Sequence, residues 1–237
     1  MNQYALVFGL SADPVHNGHV RLVKAALDWL ALHGPAPGRL LVLPTGKSNP
    51  AAGKSHAAVS FQHRYRQCQL AFGALSLTCP IQVLDTDWQR IKVGRGHNTS
   101  LDTLRALRAT VLWRERTLML LSTDHFSGDE PAFFRWHNWR GLLKQTDWLI
   151  AQRPGHHITA HTWRTLVTHT SPHGRKLLHL PWDAPAVASS DIRRWLASDD
   201  TETRKKAEPL LPEAVSAYIR RHRLYGVAAD PWRSIQG

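Results

Sequence analysis

Six short runs, Tyr4 to Gly9, Leu40 to Leu43, Ile81 to Leu84, Thr117 to Ser122, Trp148 to Gln152 and Leu177 to Leu180, are nearly continuously apolar and alternate with stretches of helical period. Strands covered on both faces read this way, and parallel neighbours need long crossover connections. The alternation therefore predicts an α/β chain with a doubly wound parallel sheet. Between the first two strands Val20, Val23, Leu27 and Leu30 recur at steps of three and four, and Gly34 with Pro35 stops the helix. After the second strand Phe61, Tyr65, Cys68, Phe72 and Leu75 do the same. Further helices are expected from Ser100 to about Arg114, from Ser189 to about Ala197, and from Pro212, a good first helical residue, to about His222. There is no internal repeat, and 237 residues with 43% hydrophobic content suffice for one core. The expectation is a single domain over 1–237, with a C-terminal helical part from about 187.

Two stretches read as exposed loops. Asp199 to Pro209, carrying DDTETRKKAEP, looks like a solvated connector, whereas Pro44 to Ser60 follows a strand, where folds of this class place ligands. Lys47 and Lys54 in it are either solvated loop charges or ligand contacts. The string AAGKS is not a phosphate-binding Walker loop, because the preceding Gly46 lies seven residues before Gly53 rather than five.

Charge narrows the partners. Thirty Lys and Arg against 18 Asp and Glu leave a net +12, with 15 His besides, which predicts polyanionic ligands: a nucleotide or a nucleic acid. The two cysteines, Cys68 and Cys79, make no disulfide framework, which points to a reducing, cytoplasmic compartment. The longest apolar runs are too short to span a bilayer, and MNQYALVFGL lacks a basic region before its apolar stretch, so neither a membrane span nor a signal peptide is expected.

The chemistry concentrates in GLSADPVHNGHV, directly after the first strand and opening the first helix. Gly9 permits a tight turn, Pro14 stiffens it, and Gly18 allows close approach. His16 and His19 stand three apart at a helix N-terminus, where free N–H groups and the helix dipole attract anions, so the pair can clamp a phosphate. Capping or surface histidines, or ligands of a transition metal, are the plainer readings of the pair. In a doubly wound sheet the loops after the first and fourth strands face each other across the switch point, which brings Asp13, His16 and His19 toward Asp124. Ser189 and Ser190 begin another helix with Arg193 one turn on, a second anion site unless Ser189 is only a cap. Two anion sites flanking one crevice suit a triphosphate held at both ends.

HNGH matches the HxGH signature of the nucleotidylyltransferase superfamily, and Gly9 to His19 resembles its GGTFDPxHxGH turn. RGHNTSLDTL resembles the SYTxDTL segment of the nicotinate or nicotinamide mononucleotide adenylyltransferases. LLSTDHF resembles their GxDS turn, WHNW their paired tryptophans, WLIAQRPG their strand ending in Arg-Pro-Gly, VASSDIRRWL their ISSTxIR helix start, and LLPEAVSAYIRRHRLYG their C-terminal helix. Leu10, Ala12, Thr99, Ser122, Thr123 and Ala188 depart from those patterns, and none of the six removes a phosphate-binding side chain.

The resemblance implies a Rossmann-like fold of nucleotidylyltransferase type and transfer of an adenylyl group from ATP to nicotinate mononucleotide, giving deamido-NAD and pyrophosphate. It implies His16 and His19 as catalytic residues. ATP is expected against Gly9, Leu10, Ser11, His16, His19, Asp124, Ser189, Ser190 and Arg193. The mononucleotide is expected against Thr99, Ser100, Trp136, Arg153 and Lys54, its carboxylate aimed at the segment Asn98 to Ser100. Plainer readings make the tryptophans core and Arg153 a salt-bridging residue. Mg²⁺ should arrive with ATP rather than in a protein cage. Nicotinamide mononucleotide as main acceptor, a pantetheine-phosphate or CTP-using relative, and a non-enzymatic nucleic-acid binder are the alternatives. No nucleic-acid or membrane partner is expected, and the sequence sets no oligomeric state.

Overall fold

The computed structural model describes residues 4–47, 56–73, 75, 77–94, 99–109, 115–185 and 187–227. Strands β1 (Tyr4–Leu10), β2 (Pro37–Pro44), β3 (Ile81–Val83), β4 (Arg116–Ser122), β5 (Asp147–Ala151) and β6 (Leu177–Leu180) form one parallel sheet in the order β3-β2-β1-β4-β5-β6. The doubly wound α/β expectation is met, and the order reverses between β1 and β4.

Alternation along the strands feeds two cores. Leu6, Phe8, Leu40, Val42, Leu118 and Leu120 face one side and pack with α1 (Asn17–His33), α7 (Ser189–Leu196) and α9 (Glu213–Arg221). Ala5, Val7, Leu41, Leu43, Met119 and Leu121 face the other and pack with α4 (Ser100–Arg108) and α5 (Trp139–Gln145). Both faces are covered, so the strands read as unbroken apolar runs. Val23 and Leu30 of α1 are wholly buried, each worth about 2 kcal/mol of transfer free energy.

Several boundaries differ from the sequence expectation. α2 (Phe61–Phe72) stops a residue before Gly73, short of Leu75. α4 ends at Arg108, and 110–114 lie outside the described residues. Pro212 is the N-cap of α9 rather than its first helical residue. The connector over Asp199 to Pro209 contains a short helix, α8 (Thr201–Lys205), because Asp200 Oδ2 accepts from the Thr203 N–H at 2.9 Å, and Ala207 beyond it is buried in the core. Three helices were not anticipated: α3 (Thr86–Lys92), α5 and α6 (Ala160–Thr170). α3 buries no residue, and α6 buries Thr162, Leu166 and Thr170, a four-residue repeat that hydrophobicity barely registers. Among the described residues no helix is long and apolar enough to cross a membrane.

Candidate active site

At the carboxyl end of the sheet, where β1 and β4 part, a cleft of about 410 Å³ opens between the turn after β1 and the start of α7. The turn is held in a single shape. Ala12 is buried with φ of 57°, in the left-handed region that non-glycine residues enter at a cost. Asp13, 4% exposed, accepts the Ala58 N–H on Oδ2 at 2.8 Å, and its Oδ1 is buried without a protein partner. The Arg193 guanidinium reaches back from α7 to the Asp13 carbonyl and stands 3.6 Å from its carboxylate. Ser189 Oγ donates to the Pro14 carbonyl at 3.0 Å, so the starts of α1 and α7 are tied together.

His16 is the N-cap of α1 and is 6% exposed. Its ring stacks on that of half-buried His19, with centroids 3.8 Å apart. The His16 backbone N–H donates to His19 Nδ1 at 3.2 Å, which leaves Nε2 of a neutral His19 as its N–H donor. Burial, with repulsion from Arg153, pushes the His16 pKa down to about 4. Burial, then His16 and Arg153, lowers His19 well below the ordinary histidine range. Both rings are therefore neutral at pH 7, each with one N–H to donate. The Gly18 position is equally tight: a Cβ there would come within 2.9 Å of the His16 ring and of Val187.

The opposite wall is the turn after β4. Asp124 accepts from the Ser122 hydroxyl and pairs with Arg153 Nη1 at 3.0 Å. Burial alone would raise the Asp124 pKa. His125, the Ser122 hydroxyl, Arg153 and His156 outweigh it and hold the carboxyl below the usual range.

A smaller cavity of about 120 Å³ lies beside the cleft. Thr99, Ser100 and Trp136 line it together, with Lys47, Asp87 and His137. Thr99 caps α4, accepting the Asp102 N–H at 3.2 Å and donating to Asp102 Oδ2 at 2.8 Å. The start of α4 thus faces the cavity.

Gly9, Leu10, Ser11, His16, His19, Asp124, Ser189 and Arg193 all line the larger cleft. Ser190 is exposed and does not contribute to its wall, and Ser189 is the first residue of α7 behind an Ala188 N-cap, not a cap itself. Arg153 lines the larger cleft rather than the cavity of Thr99, Ser100 and Trp136. Trp139 packs edge-on to His169 instead of lining either cavity. Lys54 and Asn98 lie outside the described residues. Among the described residues no three His, Cys, Asp or Glu side chains gather as a metal site.

Sequence reasoning missed Arg64. It is 3% exposed, and its guanidinium donates to the carbonyls of Ser11 at 2.8 Å, Thr45 at 2.6 Å and Gly46 at 3.1 Å, which joins the loop after β1 to the loop after β2. Gln67, one turn on, accepts the Val15 N–H at 3.3 Å and donates to the Tyr225 hydroxyl at 3.0 Å. The signal was available: Arg64 sits three after Phe61 and four before Cys68, on the apolar face of α2. A charge there must be either misplaced or bonded.

A switch-point cleft fronted by an HxGH helix start is the architecture of a nucleotidyltransferase, and the cytidylyltransferase-like family model matches residues 7–195. The probable nicotinate-nucleotide adenylyltransferase of Bordetella parapertussis is 31% identical over 92% of this chain and 96% of its own. That of Pseudomonas syringae pv. tomato is 31% identical over 92% of each. The fold matches the Plasmodium falciparum nicotinic acid mononucleotide adenylyltransferase complexed with NaAD at TM-score 0.68 and 16% identity, covering 95% of this chain and 98% of that one. The chain belongs to the nicotinate-nucleotide adenylyltransferase family.

Proposed function

We propose that this enzyme joins ATP to nicotinate mononucleotide, with ATP in the larger cleft and the mononucleotide in the smaller cavity. The observation that carries the assignment is that the two cavities share walls, at Gly9 and Leu121 among others, so two ligands bound in them would meet. An oxygen of the mononucleotide 5′-phosphate bonds to the α-phosphorus of ATP. The bond from that phosphorus to the oxygen bridging to the β-phosphate breaks, and pyrophosphate leaves with the electron pair, giving deamido-NAD. A phosphate monoester with a second pKa of about 6 is already mostly dianionic at neutral pH, so the site needs no general base. Catalysis comes from alignment and from donors set against the charge growing on pyrophosphate.

In this reading His16 and His19 donate to the ATP phosphates, and the backbone of Gly9, Leu10 and Ser11 lets the nucleotide approach closely. Ser189 and Arg193 serve the far end of the triphosphate, and Asp124 the nucleoside side of ATP. Trp136 walls the pyridine ring, with Thr99 and Ser100 at its substituent, and Lys54 assists the mononucleotide. Mg²⁺ enters as part of Mg-ATP, as suits a hard, reluctantly dehydrated ion. Cys68 and Cys79 are both free and buried, which supports a reducing, cytoplasmic setting. The test is purified protein with Mg-ATP and a panel of mononucleotides and pantetheine phosphate, with products followed by chromatography. Deamido-NAD as main product is expected; another adenylylated product, or none, overturns the assignment.

A further inference from the structure

Among the described residues three belong to the walls of both cavities: Gly9, Leu121 and His125. Gly9 has no side chain, and Leu121 is apolar and buried. His125 is therefore the polar side chain at the seam. Under the adenylyl-transfer reading, on which this inference rests, the seam is where the attacking phosphate must reach the α-phosphorus. The imidazole is well placed for that task. It sits in the tight turn after β4, closed by the Phe126 N–H on the Thr123 carbonyl at 2.9 Å, and its ring stands edge-on to Trp136 with centroids 5.5 Å apart at 75°. Asp124 beside it is anchored by Ser122 and Arg153. One half-buried ring thus connects the wall of the smaller cavity to the junction with the cleft.

We propose that His125 is a further catalytic residue, whose imidazole N–H holds the mononucleotide phosphate at the seam in line with the α-phosphorus of ATP. The two HxGH histidines line the larger cleft, whereas His125 lines both cavities. In the GxDS pattern that LLSTDHF resembles, the matching residue is serine, whose side chain is shorter than the imidazole. The bond-making step is unchanged: His125 neither gains nor loses a proton overall and acts by orientation.

The decisive comparison is wild type, His125→Ala and His125→Asn in the full chain, with steady-state kinetics for both substrates, thermal melting, and calorimetric titration of nicotinate mononucleotide. Misplacing one reactant at the point of attack costs on the order of 10²-fold, so His125→Ala should lose about that much kcat while the KM for ATP stays within about twofold. His125→Asn, which keeps an N–H donor, should recover part of it, and both variants should melt like wild type. Wild-type kcat in His125→Ala overturns the proposal, and so does an equal loss in both variants accompanied by a lowered melting temperature. A folded wild type that makes no dinucleotide overturns the adenylyl-transfer reading instead, a result visible before any variant is compared.

Discussion

The larger cleft is walled by backbone turns and charged groups that hold one another, whereas the smaller cavity is walled by side chains of strands and helices packed for the core. In the cleft Arg193 grips Asp13, Ser189 grips Pro14, and Arg153 grips Asp124. In the cavity Val7, Leu43, Leu104 and Met119 line an apolar wall, and polar atoms come from Thr99, Ser100, Thr103, Asp87, Lys47 and His125 among others. A preassembled polar wall suits a ligand bound through many charges, since its donors need little ordering on binding. A packed wall selects by shape and by where its polar groups are placed. On the proposed function, the difference gives turnover to the cleft and discrimination to the cavity.

That division breaks most visibly if His19 proves dispensable. Removing a donor aimed at developing pyrophosphate charge costs on the order of 10²- to 10³-fold in turnover. His19→Ala should show that loss with a melting temperature near wild type, because its ring is only half-buried. Normal turnover in a folded variant would remove the phosphate role. Arg64 tests what joins the two regions. Arg64→Met leaves the Ser11, Thr45 and Gly46 carbonyls without their donor. Stability should fall by about 3 kcal/mol by chemical denaturation, and the KM for both substrates should rise, since each loop borders one cavity. A rise confined to one substrate would show that the loops move independently.

Acid tests the cleft alone. His16 titrates near 6.5 when unfolded and at about 4 in the fold, so between those values the unfolded chain binds more protons. Stability should therefore be fullest above about pH 6.5 and decline as pH falls toward 4, by at most about 3 kcal/mol from this residue. Melting measured across that range should slope downward on acidification, and His16→Gln should flatten the slope. An unchanged slope would mean the imidazole is hydrated in the fold.

The cleft was the more legible half because its parts are contiguous in sequence: Gly9 to His19 forms a strand end, a turn and a helix start in one stretch. The sheet was legible for a related reason, since strands covered on both faces cannot hide their apolar runs. What escaped was assembled across the chain. Arg64 bonds to residues 53, 19 and 18 positions away, and no local pattern announces three carbonyl acceptors. His125 was passed over beside Asp124, since only the meeting of two cavities gives it a place. α6 was missed because threonine fills two of its three buried positions, with Thr170 Oγ1 satisfied by the Leu166 carbonyl at 2.9 Å. The resemblance of WLIAQRPG to the family's Arg-Pro-Gly segment puts Arg153 with the mononucleotide, but its salt bridge to Asp124 turns it into the cleft.

The smallest effect concerns the cavity's choice between nicotinate mononucleotide and its amide, which differ by a carboxylate against a carboxamide. Trp136 gives the same apolar wall to either, so discrimination must come from charge. The start of α4 at Ser100 presents its free N–H groups toward this cavity, and Lys47 adds a cation at the rim. A helix N-terminus favours a carboxylate by about 0.3 to 1 kcal/mol when exposed and up to about 2 when partly buried. Asp87 opposes this, but its oxygens are engaged by the Thr103 hydroxyl and by the Gly46 N–H at 3.4 Å. Thr99, committed to capping α4, stands where the family pattern has tyrosine, and the lost aromatic wall loosens the pocket toward the amide. The net is roughly 1.4 kcal/mol, about a tenfold ratio of kcat/KM in favour of the acid. Lys47→Met should reduce that ratio by only a fewfold, because an exposed charge is screened and the helix start remains. A ratio at or below one in wild type would remove the carboxylate-facing role of α4 while leaving the cleft's chemistry untouched.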